Sequence, residues 1–198
     1  MKDYKEIIKS VLQENSGFIT STQATNAGVP RRCLSEMLLS GEIYKVDRGI
    51  YALPNVWEDE MFFLQYRFGK GVYSHGTALY LHKLTDRTPS RFTMTFRQGY
   101  NASGAKEKGL LIKLATSDLY EFGISEALSP CGNKLRVYDI ERTLCDIVRG
   151  KSADDIQLVS QAMKLYAQSK NKNIPKLIEY AEKLRVKSKI LNYMEVLL

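Results

Sequence analysis

The sequence predicts an α+β fold: an N-terminal winged helix-turn-helix over residues 1–56, followed by a mixed α/β domain over residues 57–198 that ends in a helical bundle. Three observations predict it. Apolar residues recur at helical spacing through the first forty residues, with glycines at the breaks. A stretch of β-branched and aromatic residues then surrounds the turn Asp47-Arg48-Gly49. From Ala153 onward the periodicity is helical to the end.

In the first segment, Tyr4, Ile7, Ile8, Val11 and Leu12 lie on one face of an amphipathic helix over residues 4–14. Asn15-Ser16-Gly17 ends it, Phe18 and Ile19 are apolar anchors, and Thr20-Ser21 caps a short helix through Ala27. Gly28 supplies the positive φ of a helix-turn-helix turn. Pro30 suits the first turn of the next helix, which runs from Arg31 to Ser40, buries Leu34, Met37 and Leu38, and ends at Gly41. Residues 42–54 read as a β-hairpin, the wing, with Arg48 at its tip.

In the remainder, residues 56–60 are a linker or the cap of a connecting helix that carries Met61, Phe62, Leu64, Gln65 and Phe68 and breaks at Gly69-Lys70-Gly71. Ser74 caps a helix through Leu84, and Arg91 to Phe96 alternates as a strand. Gln98 to Gly109 reads as a mobile basic loop, and Leu110 to Ala115 as a strand. Leu119 to Ile124 and Lys134 to Tyr138 are further strand candidates, and Asp139 caps a helix over residues 140–148. The final helices carry the stripe Ile156, Val159, Met163 and Tyr166, then a segment opening at Ile174-Pro175, then residues 187–198.

With 44% hydrophobic residues the 198-residue chain has ample material for a core. Apolar runs such as Met61 to Leu64 are far too short to span a bilayer, and the N-terminus lacks the apolar core of a signal peptide. A cytoplasmic location is expected. Cys33, Cys131 and Cys145 are unpaired in spacing and read as reduced thiols. His75 and His82 have no carboxylate cluster around them, so neither a metal nor a cofactor is expected.

The formal net charge of +7 favours a polyanionic partner, but residues 1–56 account for only +1 of it. Pattern therefore carries more weight than charge. In a helix-turn-helix the third helix enters the major groove N-terminus first. Pro30, Arg31, Arg32 and Ser35 then face base edges, with Arg31 or Arg32 the guanine reader. Thr20, Thr22 and Gln23 donate to phosphates at the start of the second helix, and Lys45 and Arg48 add contacts from the wing. A winged helix also serves as a protein-protein module, and the small charge of this segment keeps that alternative open.

The second domain offers fewer signals. Ser74 beside His75 suggests a nucleophile and base, yet adjacent helical residues do not face one another and no third member is visible. Gly99, Gly104 and Lys106 approach a phosphate-loop pattern, but Ala105 intervenes and no Ser or Thr follows the lysine. Asp139, Glu141, Arg142 and Asp146 read as a helix cap with helix ion pairs rather than a catalytic set. Ser74, His75, Lys106, Asp139, Glu141 and Arg142 are the candidate functional residues of this domain. The basic tail over residues 164–198 is either a second nucleic-acid surface or a solvated face.

The order of three strings, Asp47-Arg48-Gly49-Ile50-Tyr51, Ser74-His75-Gly76-Thr77-Ala78-Leu79-Tyr80-Leu81-His82-Lys83-Leu84 and Val137-Tyr138-Asp139-Ile140-Glu141-Arg142-Thr143-Leu144-Cys145-Asp146-Ile147, resembles the AbiEi family of antitoxins over essentially the whole chain. The resemblance implies a part in a type IV toxin-antitoxin system of abortive phage infection. The winged domain would repress its own operon by binding promoter inverted repeats in double-stranded DNA. The second domain would counter a nucleotidyltransferase-like toxin without forming a stable complex with it. The alternative is that the second domain is an enzyme acting on the toxin or its target. No coiled-coil signal is present, so a monomer that pairs on DNA is expected.

Overall fold

The computed structural model describes residues 3–56, 59–149 and 155–197. The linker residues Trp57 and Glu58 and the proposed helix start at Ala153 lie outside them. The described chain divides into two compact units, residues 1–64 with 129–133, and residues 65–128 with 134–198.

In the first unit α1 spans Tyr4–Glu14, and Asp3 caps it by accepting from the amides of Lys5 and Glu6. Ile8 and Leu12, one turn apart, are fully buried, each contributing about 1.5–3 kcal/mol of hydrophobic stabilisation. The turn after α1 closes through Gly17, at φ +86°, whose amide donates to Leu12 O at 2.7 Å. Phe18–Thr20 forms β1, Ser21–Asn26 forms α2 and Arg31–Leu39 forms α3. The wing is β2, Tyr44–Asp47, paired antiparallel with β3, Ile50–Ala52, and a register shift lies between Lys45 and Asp47.

Phe18 and Ile19 are thus more than apolar anchors. They belong to a third strand, because β1 pairs antiparallel with β3 and completes a sheet of order β1-β3-β2. Three residues are too few to show a period of two, and the partner strand lies some thirty positions away. Pro30 sits one residue earlier than expected, at the N-cap of α3 with ψ 138° rather than within its first turn. The core of the unit joins Ile8, Leu12, Ile19, Ala24, Val29, Cys33, Leu34, Met37 and Ile43.

The first unit continues past Val56. Phe18 meets Phe62 and Phe63 at ring-centroid distances of 5.8 and 5.4 Å. Buried Asp59 caps α4, Glu60–Arg67, by accepting from the Phe62 amide, and also accepts from Ser129 Oγ at 2.5 Å and Asn133 Nδ2 at 2.8 Å. These bonds draw the turn 129–133 into the first unit and move its boundary into α4, a long-range pairing that local composition does not announce.

The second unit is built on a mixed five-stranded sheet of order β6-β5-β4-β8-β7. Its strands are β4 (Val72–Tyr73), β5 (Thr93–Arg97), β6 (Leu111–Ala115), β7 (Ile124–Leu128) and β8 (Lys134–Tyr138). Central β4 is antiparallel to β5 and parallel to β8, and both of its residues are fully buried. The short helices are α5 (His75–Leu81), α6 (Ser103–Glu107) and α7 (Ser117–Tyr120). Two expectations are corrected here. The basic loop contains α6, and residues 119–124 end α7 and turn rather than form a strand. The turn closes at Gly123, φ +80°, and the strand follows it.

The chain ends in α8 (Ile140–Ile147), α9 (Ile156–Gln168), α10 (Ile174–Lys183) and α11 (Lys187–Leu197). Asp139 caps α8 by accepting from the Arg142 amide at 2.8 Å, as the sequence predicts. Leu144, Ile147, Val159, Met163, Leu177, Ala181, Ile190 and Met194 interlock with Leu79 of α5 in the main core. No described helix is long and apolar enough to cross a membrane.

Candidate nucleic-acid interface and second-domain cavity

The outer face of α3 follows from its inner one. Burial of Cys33, Leu34 and Met37 leaves Arg31, Arg32, Ser35 and Glu36 exposed over its first turns. Gly28 takes φ +73° between α2 and α3, the conformation the turn requires. Pro30 is half-buried at the start of α3. On the wing, Lys45 and Arg48 are exposed, and Gly49 takes φ +76° at the tip.

The start of α2 is committed to its own cap. Thr20 is buried, and its hydroxyl accepts from the Gln23 amide at 3.1 Å while Gln23 Oε1 accepts from the Thr20 amide at 2.8 Å. Gln23 Nε2 donates to Asn15 Oδ1 at 3.0 Å. This reciprocal capping box satisfies two helix-end donors, so of the three residues at this end only Thr22 is exposed.

The second-domain candidates do not gather in one place. Asp139 and Glu141 both meet Lys176 Nζ, at 3.0 and 3.2 Å, and Glu141 accepts from the Tyr166 hydroxyl. These contacts fasten α8 to α9 and α10. Lys106 is exposed on α6. Ser74 stands at the N-cap position of α5 without a capping bond; it is buried, and its oxygen instead accepts from Thr95 Oγ1 at 2.9 Å. The six residues therefore form no single constellation.

His75 and Arg142 do share a cavity of about 460 Å³, together with Thr95, Lys113, Asp146 and Arg149. Sequence reasoning missed Thr95, Lys113 and Arg149. Thr95 and Lys113 come together because β5 and β6 pair in parallel with those two residues in register. The alternation of each strand hints at the face, but nothing local supplies the pairing.

His75 has φ +52°, a left-handed conformation at the first residue of α5. For a non-glycine residue this costs of order 1 kcal/mol, and such strain concentrates at functional sites. Among the described residues, its Nδ1 is the buried side-chain polar atom without a hydrogen-bond partner. Burial first, then Lys113, Arg142 and Arg149, push its pKa from 6.5 down to about 3, so the ring is neutral. Burial raises the Asp146 carboxyl despite the adjacent Arg142 guanidinium.

A family model described as "Transcriptional regulator, AbiEi antitoxin" matches residues 6–54, from the first turn of α1 to just beyond the wing. No curated protein matches the chain. Among solved structures, the crystal structure of the RV2827C protein from Mycobacterium tuberculosis superposes with a TM-score of 0.53 and 11% identity, covering 98% of this chain and 82% of that one. That likeness is one of fold. Over residues 6–54, the helix-turn-helix and its wing, the chain is similar to the AbiEi antitoxin family of transcriptional regulators.

Proposed function

We propose that the chain is the antitoxin of a type IV toxin-antitoxin system of abortive phage infection, acts in the cytoplasm and represses its own operon. The first unit binds inverted repeats in promoter DNA. Arg31, Arg32, Ser35 and Pro30 at the start of α3 face the major groove, and Thr22, Lys45 and Arg48 lie against phosphates or the minor groove. The observation that carries this reading is the exposure of Arg31, Arg32 and Ser35 on the face of α3 opposite buried Cys33, Leu34 and Met37. Two copies pair on the DNA rather than in solution.

The second unit counters a nucleotidyltransferase-like toxin without a lasting complex. It does so without catalysis: Asp139 and Glu141 pair with Lys176, His75 and Arg142 line the cavity, Ser74 is hydrogen-bonded to Thr95 and Lys106 is exposed on α6.

A gel shift of the full chain on its own promoter, repeated across a salt series, tests the DNA reading. Binding that weakens steeply with salt supports it. Equal retention of promoter and unrelated DNA by both the native chain and Arg31→Ala would refute a base-reading α3.

A further inference from the structure

The cavity of the second unit has a composition that its packing does not require. Lys113 and Arg149 bring two positive charges to its wall, and neither side chain has an ion-pair partner among the described residues. Arg142 is different, because Asp146 compensates it at 2.8 Å. The neutral His75 ring adds an unpartnered buried nitrogen. Leu114 and Leu119 supply apolar wall beside these groups. A volume of about 460 Å³ lies within the range of small-molecule sites and is far larger than one oxyanion needs.

We propose that this cavity binds a small phosphorylated organic molecule, a phosphomonoester whose phosphate lies between Lys113 and Arg149 and whose organic part lies against Leu114 and Leu119. A phosphomonoester carries close to two negative charges and three acceptor oxygens, which matches two cations. Arg149 offers a planar fork for two of those oxygens and Lys113 a point charge for the third. The neutral imidazole donates or accepts one hydrogen bond according to its tautomer, so His75 selects among ligands without adding charge. The strained backbone at His75 fixes that ring on the wall.

The test is calorimetric titration of the full chain, at low salt, with inorganic phosphate, ribose 5-phosphate and AMP. Ribose 5-phosphate or AMP should bind more tightly than inorganic phosphate. Lys113→Gln and Arg149→Gln should each weaken binding about tenfold or more, the effect of removing one charge-assisted contact. Both residues have access to solvent, and circular dichroism would verify that both variants fold. Lys106→Gln, outside the cavity, should leave binding unchanged. Absence of binding by all three compounds, or equal affinity in the native chain and both variants, would overturn the site. Bare phosphate binding as tightly as the sugar phosphate would overturn the role of the apolar wall.

Discussion

Arg142 Nε donates to Asp146 Oδ2 at 2.8 Å, one turn along α8, with the two side chains only 2% and 6% exposed. The same guanidinium donates from Nη1 to the carbonyls of Leu119 and Phe122, and stands 4.4 Å from the ring centroid of Tyr138. One side chain thereby fastens α8 to the end of α7, the following turn and β8. It fills that role because a buried guanidinium has five donors, and carboxylate, carbonyls and ring face answer its charge together.

Replacing Arg142 by Met should cost about 3–5 kcal/mol, since it strands a buried carboxylate. Urea unfolding measures the loss. Replacing both residues by apolar ones, Arg142→Met with Asp146→Leu, should recover most of it, because no uncompensated charge then remains. A double variant as unstable as the single one would show that the carbonyl bonds, not the ion pair, dominate.

Gly123 gives a steric test of the same region. A Cβ placed there would stand 2.8 Å from Arg142 Cβ, and the residue has φ +80°. Gly123→Ala combines backbone strain with overpacking against a side chain whose own position is fixed by three hydrogen bonds, a loss of about 2–4 kcal/mol. Thermal and urea unfolding should both register it. Gly109, also at positive φ but with open space around it, should show only the backbone part.

His75 makes stability depend on pH in a defined direction. Its folded pKa is depressed to about 3, so its contribution is fully present above 6.5 and is lost as pH falls toward 3. Across that window the unfolded chain binds the extra proton, and stability falls by up to about 1.4 kcal/mol per pH unit from this group. Asn tolerates the left-handed backbone and does not titrate. The stability difference between the native chain and His75→Asn should therefore shrink steadily from pH 7 to pH 5. A difference independent of pH would mean that the ring titrates alike in the folded and unfolded chains.

How far the sequence foretells this structure depends on the range of the interaction. The helices of the first unit, the glycine turn at Gly28, the wing and the Asp139 cap are legible because their determinants lie within a few residues. β1 is not, since Phe18–Thr20 is a strand only through β3. The unit boundary is hidden for the same reason: Asp59 finds Ser129 and Asn133 some seventy positions away. The cavity depends on the parallel register of β5 and β6, which sets Thr95 against Lys113. Reading Asp139 as a cap and Arg142 as a helix ion pair succeeds because that geometry is local, whereas Glu141 finds its partner in Lys176 of α10.

The first unit allows folding and DNA contact to be separated at neighbouring positions. Thr20→Ala removes the hydroxyl that caps α2 and should lower stability by about 1 kcal/mol. DNA affinity, measured where the variant is still folded, should change little. Arg31→Ala and Arg32→Ala remove exposed side chains and should leave the unfolding midpoint nearly unchanged. One of them, the guanine reader, should weaken promoter binding by about 1–3 kcal/mol and relax base preference at one position. Arg48→Ala should weaken promoter and unrelated DNA alike, and lower the salt slope by about one, because a phosphate contact carries no base information. A changed base preference with Arg48→Ala would instead place the wing on a base edge. Loss of binding with Thr20→Ala at full folding would put the capping hydroxyl on the DNA and remove the distinction between cap and contact.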